Sequence, residues 1–156
     1  MRLELTKRAD YAIRTILSLA RAADGEQRSV RQVAAEQRIP ARFLPQIMGD
    51  LKRAGLVEGT VGRRGGYRLV KLATEISLLD VVEAVEGDSR RRVCILRGGP
   101  CATSGVCAVH AVFSQAQDEV LGHLRAETVE KVIRDDPGDP PGESTSRSPH
   151  RLDRGP

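Results

Sequence analysis

The hydrophobic period of this chain changes at Gly55, and that change constrains the fold more than any other feature. Before Gly55, apolar residues recur at spacings of three and four; after it come two short runs, 56–61 and 67–70, joined by Gly62-Arg63-Arg64-Gly65-Gly66. The first pattern belongs to helices and the second to a hairpin. Thr6 can cap a first helix from about Lys7 to Ala22, with Ile13, Ile16, Leu17 and Ala20 as its apolar stripe and Asp24-Gly25 as its stop. Ser29 and Gln32 stand at capping-box spacing and open a short second helix over Val33 and Ala34. After the interruption at Ile39-Pro40, a third helix is predicted to bury Phe43, Leu44, Ile47, Met48 and Leu51, with Gly55 at its C′ position. Pro45 lacks an amide hydrogen, so it fits only if this helix starts near Ala41 or Arg42.

Three helices followed by a basic hairpin predict a mainly α fold, a winged helix-turn-helix domain over residues 1–72. Charge agrees with that reading. Residues 1–70 hold 14 Lys and Arg against 7 Asp and Glu, whereas 71–134 hold 8 against 9 and 135–156 hold 3 against 5. A basic N-terminal half is the footprint of a polyanion binder, although an ordinary Arg-rich surface would carry the same count. With the apolar face of the third helix turned inward, Arg42 and Gln46 face out as base-reading candidates, Arg for guanine and Gln for adenine. Arg63 and Arg64 at the wing tip are placed to meet phosphates or the minor groove. Double-stranded DNA is therefore the expected partner.

Beyond the wing, Ser77 and Asp80 open a short helix with Leu78, Val81, Val82 and Val85 apolar, ending at Gly87. A long helix is expected over about 108–124, where Val109, Val112, Phe113, Ala116, Val120 and Leu121 recur at helical spacing, with two more turns at 127–134. Residues 135–156 contain five prolines among Gly, Ser and acidic residues, the composition of a disordered tail. No apolar run approaches the roughly 18 residues of a membrane helix. Arg2, Glu4, Lys7, Arg8 and Asp10 argue against a signal peptide, and three cysteines against a disulfide scaffold. A cytoplasmic protein with reduced thiols is expected.

Cys94, Cys101 and Cys107 fall within 14 residues, and His110 follows three residues after the last. Cys107 and His110 share a helix face at that spacing. Three thiolates and an imidazole suit an iron–sulfur cluster or zinc. The spacings match neither a zinc finger nor a CxxC redox motif, so cluster, zinc and unrelated thiols all stay open at this point. No CxxC is present and no phosphate loop or paired carboxylate stands out, which argues against an enzyme.

The segment 5–12 (Leu-Thr-Lys-Arg-Ala-Asp-Tyr-Ala), the wing 62–69, the stretch 76–85 and the three cysteines after it together resemble the Rrf-two superfamily of winged-helix bacterial repressors, over about residues 1–134. The resemblance implies a homodimer formed through the long C-terminal helix, and a [2Fe–2S] or [4Fe–4S] cluster bound by Cys94, Cys101 and Cys107 in each protomer. For the fourth ligand it implies His110, as in IscR-like members, or Asp10 on the first helix of the other protomer, as in NsrR-like members. As unliganded residues, His110 would be a helix-surface histidine and Asp10 a carboxylate favoured by the helix dipole. On this reading 73–134 hold the cluster loop and dimerisation helix. The expected function is a repressor whose operator binding follows redox, nitric oxide or iron–sulfur status, the alternative being a regulator with structural zinc or a thiol switch. Pro45 stands where IscR-like proteins carry glutamate, and Arg63-Arg64 where Pro-Gly is common, so the operator cannot be inferred from relatives.

Overall fold

The computed structural model describes residues 5–23, 26–62, 65–87 and 108–135. Helix α1 spans Lys7–Ala20, and the Thr6 hydroxyl accepts from the Ala9 amide at 3.1 Å. It ends short of Ala22, where the amides of Arg21 and Ala22 close the last turn on Leu17 and Leu19 carbonyls. Its buried residues are Ala9, Ala12, Thr15, Ile16, Ser18 and Leu19, while Ile13, Leu17 and Ala20 are half-buried. The expected single stripe is therefore too narrow. Small side chains at Ala9, Ala12 and Ser18 let α1 sit among α2 (Val30–Gln37), α3 (Leu44–Arg53), α4 (Leu78–Glu86) and α6 (Val129–Asp135), so more than one face is covered.

The capping box opening α2 is formed, with Ser29 accepting from Gln32 and the Gln32 side chain accepting from the Ser29 amide. Arg38 ends the helix in the left-handed region at φ 50°. A single 3₁₀ turn at Ala41–Phe43 then leads into α3, which places Pro45 in the first turn, where its missing amide hydrogen costs no helical bond. Gly55, at φ +70°, closes α3 as predicted. Phe43 departs from expectation: it is 39% exposed, because the 3₁₀ turn rotates it out of register with the buried Leu44, Ile47, Met48 and Leu51.

Strands β1 (Val57–Thr60) and β2 (Gly66–Leu69) pair antiparallel from Val57↔Leu69 to Thr60↔Gly66. Arg28 adds a bridge to Tyr67, with reciprocal amide–carbonyl bonds of 2.9 Å. Gly66 is required there, since a Cβ would stand 2.9 Å from the Arg28 carbonyl carbon and oxygen. The hairpin is thus anchored to the segment before α2.

Ser77 and Asp80 form the capping box that starts α4, which buries Leu79, Val81, Val82 and Val85; Leu78 is only half-buried. The entry to α6 is tied to the same point by Leu78 N–Glu127 O and Val129 N–Ile76 O bonds, both 2.9 Å. Val129 and the α4 valines join Ala9, Ile16, Leu44 and Met48 in one core. Helix α5 (Ala108–Ala126) contacts α4, and Val112 on it is 69% exposed.

Candidate nucleic-acid interface and cysteine segment

Burial of Leu44, Ile47, Met48 and Leu51 on one side of α3 leaves Pro45 and Gln46 exposed on the other, and Arg42 is exposed on the 3₁₀ turn just before the helix, so Arg42 and Gln46 face outward as the spacing predicted. The Arg42 guanidinium carbon lies 4.9 Å from the centroid of the Phe43 ring. Behind that ring stands Tyr11 of α1, with centroids 5.6 Å apart and planes tilted by 42°. Lys7 and Arg8 from the first turn of α1 border the same groove as Arg42 and Gln46. Four polar or cationic side chains from α1, the 3₁₀ turn and α3 therefore converge around one aromatic surface. The sequence reading reached Arg42 and Gln46 but not Lys7, Arg8 or Tyr11.

The pose of α3 is fixed by Asp50. Its carboxylate is 3% exposed and pairs with Arg8 of α1 and with Arg53 one turn along α3. A carboxylate on the buried face of a helix demands such partners, because an unpaired buried charge is costly. That was the available signal: Asp50 follows Ile47 at apolar spacing.

Arg14 performs a second tie. Its Nη1 donates to the Gln37 carbonyl at 2.8 Å and its Nη2 to Asp10 Oδ2 at 2.8 Å, while its guanidinium carbon lies 5.1 Å from the Tyr11 ring centroid. Asp10, a candidate fourth ligand, is thus a half-exposed carboxylate held by an i,i+4 ion pair. The wing is held at its base by Thr60 Oγ1 donating to Gln27 Oε1 at 2.5 Å, and Val61 beyond it is fully exposed. Arg63 and Arg64 lie outside the described residues, as do Cys94, Cys101, Cys107 and 136–156 of the expected 135–156 tail; Asp135 does not belong to that tail but ends α6. His110 lies in the first turn of α5, and its side chain is outside the described part. Among the described residues no cluster of three or more His, Cys, Asp or Glu is placed to hold a metal ion. Among them, too, no helix is long and apolar enough to cross a membrane.

The Rrf2 family, described as an iron-dependent transcriptional regulator, matches residues 5–135. Protein aau3 of Rhizobium meliloti is 33% identical over 134 residues, covering 85% of this chain and 86% of that protein. The HTH-type transcriptional regulator NsrR of Shouchella clausii is 32% identical over 132 residues, covering 84% and 89%. Among solved structures, T. potens IscR superposes with a TM-score of 0.72 at 20% identity, over 85% of this chain and 88% of that one. The wing, the outward face of α3 and the match across all the described residues lead to one conclusion: this chain belongs to the Rrf2 family of transcriptional regulators, winged-helix DNA-binding proteins rather than enzymes.

Proposed function

We propose that the protein is a cytoplasmic homodimeric repressor whose operator binding is set by an iron–sulfur cluster. Arg42 and Gln46 read bases in the major groove, and Arg63 and Arg64 of the wing engage phosphates or the minor groove. Residues 1–72 form the DNA-binding part, and 73–134 carry the cluster loop and the dimer helix. Along α5, exposed Val112 and Ala116 and half-buried Phe113, Val120 and Leu121 make an apolar stripe of the kind a second copy covers.

The observation that carries the cluster is the donor set. Cys94, Cys101 and Cys107, in a chain matched from 5 to 135 by an iron-dependent family, offer the soft thiolates such clusters take. Either His110 or the partner's Asp10 supplies the fourth, harder ligand. When bound, the cluster supplies a centre sensitive to oxygen, nitric oxide or loss of iron. What this chain's own residues contribute is the mechanical frame: α1 carries Asp10, and Arg14 joins Asp10 to the end of α2, just before the DNA-reading helix. A few kcal/mol of differential operator affinity between two arrangements of the recognition helices would switch occupancy about a hundredfold.

The test is purification without oxygen, followed by a visible spectrum, iron and sulfide analysis, and operator binding before and after nitric oxide. Coloured, iron-containing protein whose binding responds is the expected result. Colourless protein with zinc near one per chain, or with binding altered by reductant alone, would replace the cluster with a structural metal or a thiol switch.

A further inference from the structure

We infer that Phe43 reads bases: its ring packs against the 5-methyl group of a thymine in the major groove, beside the hydrogen-bonding reach of Arg42 and Gln46. The inference rests on α3 being the DNA-reading helix.

Position is the first reason. Phe43 ends the 3₁₀ turn that leads into α3, and the N-terminal end of a recognition helix is the end that meets base edges. Exposure is the second. Leu44, Ile47 and Met48 fill the core without it, and Phe43 stays 39% exposed at a place where helical spacing would bury it. Its ring is nevertheless held in place, backed by Tyr11 at 5.6 Å and flanked by the Arg42 guanidinium at 4.9 Å. A pre-set aromatic surface loses little conformational freedom when it is covered.

Chemistry of the surroundings selects the occupant. Lys7, Arg8, Arg42 and Gln46 rim the groove, to whose apolar part Phe43 and Tyr11 contribute beside Pro40 and Ile47. Arg8 is already paired with Asp50, but an apolar protein face laid there would strip water from Lys7 and Arg42 and give nothing in exchange. A DNA duplex brings phosphates for the cations. In its major groove it also presents one apolar group, the thymine methyl.

The experiment uses the purified full-length protein and a duplex selected by it from a random-sequence library. Each thymine of that duplex is then replaced, singly, by uracil, which keeps every pairing and hydrogen-bonding group and removes only the methyl. Uracil at one thymine per half-site is expected to weaken wild-type binding about fourfold, the loss for uncovering one methyl group. Phe43→Ala should bind the thymine and uracil duplexes equally, and Phe43→Leu should keep part of the difference. Because the wild-type series needs no variant, impaired folding of Phe43→Ala would not blunt the test. A selected duplex with no thymine in either half-site, or one in which every uracil is tolerated by wild type, overturns the role of Phe43 alone. Failure to select any sequence overturns base reading by α3 itself.

Discussion

Arg14 in the middle of α1 donates to the backbone carbonyl of Gln37, the last residue of α2, across 2.8 Å. The last carbonyls of a helix have no partner within it, so this guanidinium satisfies one of them from another element. The same side chain grips Asp10. One arginine thereby links a candidate cluster ligand, the helix that carries it, and the turn that aims α3.

Arg14→Ala should loosen that turn. Loss of charge-assisted bonds at a largely buried side chain is expected to lower unfolding free energy by about 1–2 kcal/mol in urea denaturation. Operator affinity should fall as well, since the α2–α3 turn is no longer pinned. Arg14→Lys should recover little, because one ammonium cannot present a planar fork to both acceptors.

Asp50 and its arginines should behave unequally. Asp50→Ala removes the carboxylate joining α3 to Arg8 and is expected to cost about 1–3 kcal/mol. Arg53 is 75% exposed, so Arg53→Ala should change stability by under about 0.5 kcal/mol. Chemical denaturation of both variants under the same conditions separates the buried partner from the solvated one.

Thr15 offers a stabilising change. Its side chain is fully buried and its hydroxyl is without a partner among the described residues. Thr15→Val keeps the shape and removes the polar atom, so a gain of about 1 kcal/mol is expected, read as a higher Tm. An unchanged or lower Tm would mean that the hydroxyl is satisfied after all.

The wing should not tolerate a side chain at Gly65. A Cβ there would lie 2.2 Å from the Thr60 carbonyl oxygen, so the hairpin backbone must shift. Gly65→Ala should weaken operator binding through the displaced wing while leaving the helical core intact by circular dichroism.

DNA reading and cluster binding should separate by mutation. Arg42→Ala and Gln46→Ala should each cost about 1–3 kcal/mol of specific binding, with iron content unchanged. Lys7→Ala should weaken binding to all sequences alike and reduce its salt dependence, as a phosphate contact does. Cys101→Ala should do the reverse of the α3 variants, losing iron first.

The helix starts at Thr6, Ser29 and Ser77, the stop at Gly55 and the hairpin after it were legible in the sequence, because each depends on residues within a turn or two of one another. Arg42 and Gln46 could be read for the same reason: once one face of a helix is apolar, the opposite face is decided. Tertiary structure decided the rest. Only the packing of α1 against four other helices and the hairpin turned its expected stripe into a many-sided burial, and only the 3₁₀ turn before α3 brought Phe43 to the surface. Lys7, Arg8 and Tyr11 border one groove with Arg42 and Gln46 from far away in sequence, and Arg8 pairs with Asp50 and Arg14 with Gln37 across similar separations. Periodicity and capping act over a few residues and fix which elements form; which side chains face each other across them is fixed by how those elements pack, and no local pattern records it.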